Sequence, residues 1–463
     1  MLYDKLKKYA ESEVYPFHMP GHKRQDIYGD GIIPYNIDLT EIYDFDNLHS
    51  PNGCIKEIEE KAAQIYGVNN AFLLVNGATG GILSAVRAMS HRGDRVLIAR
   101  NCHKSVYNAA ELLELKAEYI FPNQAESDVK HQFYGSVNPN DIENKLRDFP
   151  DTKLVIITSP TYEGICSDIK AISDICRNHG AKLLVDEAHG AHFPFHDDFP
   201  SSAIYQGADA VVISLHKTLP SLTQTALLLT NDGELEKKLR SNLAVFETSS
   251  PSYVLMASIE NCLRFLENSK EAFLKYIDNL NLFYNRIKTL KKLNVFNCEN
   301  RDIGKLVILT EKTNLTGHQL ANILRNEYKI ETEMSSVDYV IAMTSVCDTE
   351  SGFERLYNAL TEIDSKCSIN KFDTPNLIFE APGRKLFAYE CQDCKSTLTD
   401  FKSAVGKVSL EYIYAYPPGI PLIVPGEVLS QEIYDNIMYQ LKSGVDISSS
   451  DKNFPQKLSV AEL

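Results

Sequence analysis

From about residue 71 to residue 230 the chain repeats one pattern: a short apolar run, a few polar or glycine residues, then a stretch with helical spacing. The runs are AFLLV (71–75), RVLIA (95–99), KLVIIT (153–158), KLLV (182–185), AVVIS (210–214) and ALLLT (226–230). Between the first two, Ile82, Leu83, Val86 and Met89 recur at helical spacing before Gly93; between the third and fourth, Ile169, Ile172 and Ile175 do so before Gly180. Strands alternating with helices predict an α/β unit, and crossovers of this length join parallel strands. Lys217 to Thr225 is too short for such a crossover, so 226–230 is expected to run antiparallel. From Ser252 to about Leu293 an apolar seam (Ile259, Leu263, Leu266, Phe273, Ile277, Leu280, Ile287, Leu290) predicts one long helix linking domains. KLVILT (305–310), a helix near 317–328 and DYVIAMT (338–344) predict a smaller α/β domain. A final segment begins near residue 370 and contains YAYPPGIPLIVPGE (414–427), whose prolines exclude a central strand or a helix interior.

Composition narrows the classes. The 463 residues are 44% hydrophobic and carry a formal net charge of −15, which excludes a disordered or fibrous chain. An acidic balance without a Lys/Arg block lacks the footprint of a nucleic-acid binder. The N-terminal MLYDKLKKYAESEV has no apolar signal core and ten cysteines are scattered along the chain, so a reducing cytoplasm is expected, without disulfides. Ala62–Val86 is interrupted by Asn and Gly and Tyr412–Gly426 is short and proline-rich, so no membrane span is expected. Cys391 and Cys394 form an isolated CQDC, and the pairs His18/His22 and His192/His196 lie in segments broken by Gly or Pro; no metal site is expected.

Ligands of open parallel sheets bind outside the carboxyl ends of the strands. There the chain reads NGATGG (76–81), RNCHKS (100–105), SPTYEG (159–164), DEAHGAH (186–192) and SLHKTL (214–219). NGATGG opens a helix whose free N–H groups suit a phosphate, although a capped tight turn reads the same way. Asp186 follows an apolar strand, where a carboxylate needs a cation or several donors. Lys217 also follows an apolar strand, and a lysine in a cleft can lose its proton and attack an aldehyde. Each taken alone fits a structural ion pair; together they point to a Schiff-base cofactor whose ring nitrogen faces an acid. His103 suits stacking on a ring, and His189 and His216 suit hydrogen bonds to a phenolic oxygen or phosphate.

These motifs, with FHMPGHK (17–23), DLTE (38–41), DNLHSPNG (46–53), TSSPSY (248–253) and YPPGIPLIVPGE (416–427), resemble the Orn/Lys/Arg decarboxylases, pyridoxal 5'-phosphate (PLP) enzymes of aspartate-aminotransferase-like fold. The resemblance runs over nearly the whole chain and is to the short bacterial form; with HMPGHK beginning at His18, the receiver-like N-terminal domain of larger members is expected to be absent. It implies an α/β fold with a large, mostly parallel seven-stranded sheet, a smaller α/β domain and a C-terminal α+β segment. The expected units are an interface segment (1–55), a PLP-binding domain (56–251), a connecting helix (252–293), a small domain (294–368) and a C-terminal decarboxylase segment (369–463).

By matching position, the resemblance makes Lys217 the residue joined to PLP, with Asp186 holding the pyridinium N–H, His103 stacking on the ring and Ala188 packing beneath its other face. His189 would approach the phenolic oxygen, while Ala78, Thr79, Ser214 and His216 would bind the phosphate. Lys217, His103 and Asp186 would be catalytic, and Glu427 would meet the distal cation of a basic amino acid, its other reading being a solvated loop carboxylate. A homodimer with shared active sites is implied, with TSSPSY and the HMPGHK region reaching the neighbouring site. The expected activity is a carboxy-lyase acting on arginine or lysine, less so ornithine. Aminotransferases of this fold carry an arginine shortly after the Schiff-base lysine; none stands between Lys217 and Arg240, which favours decarboxylation. Transamination, lyase chemistry and a catalytically silent PLP-binding homologue are the competing readings.

Overall fold

The computed structural model describes residues 1–26, 29, 31–126, 130–369, 382–415 and 419–462. Its centre is a seven-stranded sheet: β1 (Asn70–Leu74), β2 (Arg95–Ala99), β3 (Lys116–Ile120), β4 (Thr152–Thr158), β5 (Lys182–Asp186), β6 (Ala210–Ser214) and β7 (Ala226–Thr230), in the order β1-β7-β6-β5-β4-β2-β3. Strands β3, β2, β4, β5 and β6 are mutually parallel. As expected from its short connection, β7 is antiparallel, and it is so to both neighbours. Helices cover both faces, which is why the central strands are apolar throughout: every residue of β6 and β7 is buried. The edge strand β3 escaped the sequence reading because Lys116 and Glu118 interrupt its apolar pattern.

This topology brings the carboxyl ends of β1, β2, β4, β5 and β6 to one edge of the sheet. The helix after β1, Gly77–Met89, lies hard against the strands: a Cβ on Gly81 would come within 2.6 Å of Leu74 and 3.2 Å of Val212. Gly77, at φ +70°, makes the turn into that helix.

The 252–293 stretch departs from expectation. It is two helices, Tyr253–Leu266 and Lys270–Ile287, rather than one. The chain breaks where Ser269 donates its hydroxyl to the Leu266 carbonyl at 2.9 Å, supplying a local alternative to the helical ladder. The apolar seam survives the break, because Ile259, Leu263, Phe273, Ile277 and Leu280 are all buried.

Beyond it, Lys305–Leu309 and Tyr339–Met343 pair antiparallel at the centre of a four-stranded sheet flanked by helices Gly317–Tyr328 and Glu350–Lys366. The C-terminal part has its own core around Phe401, Ile413, Ile423, Leu429, Ile437 and Leu458. There Ile413–Ala415 is the middle of three strands and Ile420–Ile423, with Pro421, is an edge, where a missing N–H costs no ladder bond. Tyr416, Pro417 and Pro418 of the proline motif lie outside the described residues.

Near the N-terminus, Asp46 organises DNLHSPNG. Its buried carboxylate accepts from the backbone N–H groups of Asn47, Asn52, Gly53, Ile55 and Lys56 at 2.8–3.2 Å. Burial opposes its ionisation, but these donors hold the carboxyl below its ordinary range. The loop also meets TSSPSY within the same chain: His49 Nε2 donates to the Thr248 carbonyl at 2.9 Å, and the Tyr253 hydroxyl donates to the Asp46 carbonyl.

Candidate active site

A cavity of about 750 Å³ opens at the carboxyl edge of the sheet, and its walls include Ala78, Thr79, His103, Asp186, Ala188, His189, Ser214, His216 and Lys217. Nine residues singled out from scattered strand ends thus share one space. The four-residue helix Leu215–Thr218, following β6 without a loop, presents Lys217. β5 ends on Asp186, which is 5% exposed and accepts from the Ala188 N–H at 3.1 Å. Burial raises the Asp186 carboxyl, and the Lys217 charge pulls it back. Burial lowers the Lys217 ammonium, opposed by Asp186 and Glu333. Burial thus works against both charges, and each charge supports the other, in a poorly solvated cavity.

His103 caps the helix Lys104–Leu112: Nδ1 accepts from the Ser105 N–H at 3.2 Å and lies 2.9 Å from the Ser105 hydroxyl. Burial, then the charges of Lys217 and Lys104, push its imidazole down to about 4, so the ring is neutral at physiological pH. His216 Nδ1 donates to the Thr225 carbonyl at 2.9 Å, which leaves its Nε2 as the acceptor while burial keeps the ring neutral. His189 lies 3.0 Å from Lys217 through Nε2.

The anion end of the cavity can be tested for a phosphate. The helix Gly77–Met89 starts without a side-chain cap; the Gly77 and Gly80 N–H groups donate to the Gln224 and Asn76 carbonyls, and Ala78 and Thr79 of the same turn line the cavity. Among the described residues, Ser214 Oγ, Thr158 Oγ1 and Asn101 Oδ1 are buried without a hydrogen-bond partner, and all three residues line the same cavity. Buried polar atoms left unpaired are costly and call for a polar ligand. The residues therefore fit a phosphorylated aromatic aldehyde: uncapped N–H groups and Ser214 for the phosphate, Asp186 for a ring nitrogen, Lys217 for the aldehyde.

Glu427 is the correction. Its carboxylate is 1% exposed, is not on the cavity wall, and is held by Arg100 at 2.8 Å and by the Val424 N–H at 2.8 Å. Burial raises the carboxyl and Arg100 lowers it. Arg100, itself 1% exposed, also reaches the Leu422 carbonyl at 3.3 Å and lies over the rings of Tyr119 and Phe121. Glu427 thus ties the proline element to the end of β2 instead of facing a substrate. Arg384 makes a second tie, to Glu118 of β3 at 2.9 Å.

Sequence reading passed over several wall residues. Glu163 is buried and accepts from the Tyr339 hydroxyl at 2.9 Å; Glu333 accepts from the Tyr162 hydroxyl at 2.5 Å; Asp446 comes from the C-terminal part. Behind the wall stands Lys305, 1% exposed, its Nζ 2.6 Å from His189 Nδ1. The available signal was a cation opening the otherwise apolar run KLVIL. Among the described residues no cluster of His, Cys, Asp and Glu is arranged to hold a metal ion. His192, one of the weighed ligands, instead donates to Asp302 at 3.1 Å.

A cavity at the carboxyl edge of a mostly parallel α/β sheet is where ligands of that class of protein bind. The sequence profile described as "Orn/Lys/Arg decarboxylase, major domain" matches residues 1–332, and that described as "Orn/Lys/Arg decarboxylase, C-terminal domain" matches residues 388–455. The chain belongs to the Orn/Lys/Arg decarboxylase family. An arginine decarboxylase of Bacillus anthracis is 31% identical, over 99% of this chain and 96% of its own. In fold, the chain is similar to the Francisella novicida lysine decarboxylase LdcF, with a TM-score of 0.85 at 18% identity, covering 100% of this chain and 81% of that one. A structure of SPT with PLP is similar over 67% of this chain and 76% of that one, with a TM-score of 0.52 and 15% identity.

Proposed function

We propose that this protein is a PLP-dependent decarboxylase of a basic L-amino acid, arginine first and lysine second. The observation that carries the reading is one cavity shared by Lys217, a buried Asp186 and a helix N-terminus without a side-chain cap. Family membership and the arginine decarboxylase relative support the reaction, and the fold likeness to a protein solved with PLP supports the cofactor.

Lys217 would be the amine joined to the cofactor aldehyde, Ala78, Thr79, Ser214 and His216 would hold its phosphate, and Asp186 would keep the ring nitrogen protonated. When bound, PLP supplies a cationic ring into which the electrons of the breaking Cα–carboxylate bond can flow. His103 and Ala188, both on the cavity wall, would pack against the two faces of the cofactor ring. His103 and Lys217 are the candidates for returning a proton to Cα: Lys217 would give one from its ammonium, and His103, neutral at rest, would relay one that it first accepts. Glu163, Glu333 and Asp446 put carboxyl groups on the wall, which suits a cationic side chain, and this role passes to them from Glu427.

The domain division at 55, 251, 293 and 368 stays part of this proposal. So does a homodimer with shared sites, supported by apolar side chains near HMPGHK that a lone chain leaves in water: Phe17 is 91% exposed and Tyr43 98%. No helix among the described residues is long and apolar enough to cross a membrane. A cytoplasmic location stays part of this proposal, resting on ten cysteines scattered along the chain, all of them free thiols. The reaction is tested by incubating PLP-loaded enzyme with equimolar arginine, lysine and ornithine and identifying products by mass spectrometry. Agmatine or cadaverine with CO₂ is expected; keto acids without CO₂ would reject decarboxylation.

A further inference from the structure

An acid holds the start of the helix Gly77–Met89 from outside the cavity. Of the four N–H groups that open this helix, that of Gly77 donates to the Gln224 carbonyl at 2.9 Å and that of Gly80 to the Asn76 carbonyl at 3.4 Å. Those of Ala78 and Thr79, two residues of the cavity wall, are left for a ligand. Glu247 meets the same turn without being on the wall. It is 6% exposed, and its Oε2 accepts from the Val75 N–H, just beyond β1, at 3.2 Å. Its Oε1, without a hydrogen-bond partner among the described residues, lies over Gly80, where a Cβ would fall 2.9 Å from it. Glycine at position 80 is what leaves room for the carboxyl.

The carboxyl is anchored through its own backbone. Glu247 directly follows the helix Gly233–Phe246, and its N–H donates to the Leu243 carbonyl at 2.8 Å. The Phe246 carbonyl accepts from Asn76 Nδ2 at 3.2 Å, and the Thr248 carbonyl from His49 Nε2 at 2.9 Å. The residue before Glu247 is thus tied to the turn itself, and the residue after it to the DNLHSPNG loop.

An apolar side chain would fill this space without the cost of burying a carboxyl. What the carboxyl adds is an acceptor for a buried N–H at the point where the chain leaves β1. Val75 is 3% exposed, so without that acceptor its N–H is left unpaired unless the turn shifts. Ala78 and Thr79 follow within three and four residues, and their N–H groups move with the turn.

We infer that Glu247 is a positioning residue for the cofactor phosphate: by accepting the Val75 N–H and packing on Gly80, its carboxyl fixes the turn so that the Ala78 and Thr79 N–H groups converge on one anion. Glu247 acts through the backbone and touches neither cofactor nor substrate. The inference rests on the proposed function in taking the phosphate of PLP as the group that this helix start meets.

The test compares PLP with pyridoxal, the same aldehyde without the phosphate. Binding of each to full-length enzyme freed of cofactor is measured by equilibrium dialysis, and circular dichroism establishes that each variant is folded. Glu247→Ala should weaken PLP by at least about tenfold and pyridoxal by less than about threefold. Glu247→Gln keeps an acceptor oxygen for Val75 and should stay near the wild type with both. Gly80→Ala pushes the carboxyl off the turn and should copy Glu247→Ala, which keeps the test open if Glu247→Ala does not fold. Folded Glu247→Ala and Gly80→Ala proteins with unchanged PLP affinity would overturn the inference. Equal losses of PLP and pyridoxal would also overturn it, since they mark a general structural role, as would a Glu247→Gln protein as weak as Glu247→Ala. A wild type that does not prefer PLP to pyridoxal would reject the phosphate site, and the proposed function with it. A clear wild-type preference that the variants keep would reject the role of Glu247 alone.

Discussion

Replacing Glu427 with alanine distinguishes a structural carboxylate from a substrate-binding one. In the wild type the Arg100 guanidinium is buried and its charge is met by Glu427 at 2.8 Å; among the described residues its Nη1 has no hydrogen-bond partner. What remains after truncation is one long bond to the Leu422 carbonyl and the faces of Tyr107, Tyr119 and Phe121, while the Val424 N–H loses its acceptor. Removing one member of a buried ion pair costs about 3–5 kcal/mol, because the other charge stays desolvated and unpaired. Replacing both members by apolar residues of similar volume, as in Arg100→Met with Glu427→Leu, is expected to recover most of that loss, giving a coupling energy above about 2 kcal/mol in a double-mutant cycle. Urea unfolding followed by circular dichroism, read at the first cooperative transition, supplies the free energies. If Glu427→Ala unfolds like the wild type, shows no coupling to Arg100 and loses only its affinity for arginine, the structural assignment of Glu427 is wrong.

Three further outcomes are expected. Asp46→Ala leaves five backbone N–H groups without their acceptor and should cost about 3 kcal/mol or more, read by thermal unfolding. Because the folded carboxyl of Asp46 is held below its unfolded value, its stabilisation is present above pH ~4 and is lost as pH falls through the folded value, so the variant and the wild type should converge in acid. Gly81→Val forces the helix Gly77–Met89 off Leu74 and Val212 and should cost about 1–3 kcal/mol, with weaker PLP binding measured by equilibrium dialysis. Asp186→Asn keeps the shape but removes the anion, and kcat for arginine should fall by roughly 10²–10³ without loss of fold.

The sequence disclosed what is local. AVVIS and ALLLT were legible as strands because both faces are buried, and the residues following each strand were legible as a site because topology alone brings strand ends together. Edge and tertiary features were not. β3 is polar in alternation because Glu118 pairs with Arg95 and Arg384 rather than joining the core. The interruption of the long helix rests on one serine hydroxyl that periodicity does not register. Lys305 finds its partner 116 residues away and Glu427 finds Arg100 327 residues away, so neither role could be read from neighbouring positions. Resemblance alone gave Glu427 a substrate role, whereas in space the Arg100 guanidinium already takes the place of a substrate cation against it.

The covalent attachment of PLP to Lys217 can be measured by reducing cofactor-loaded enzyme with borohydride, digesting it and locating the pyridoxyl group by mass spectrometry. A single labelled peptide carrying the modification on Lys217 is the predicted result. Label on Lys305 or another lysine, or none at all in material that shows the cofactor's visible absorption, would contradict the assignment of this cavity.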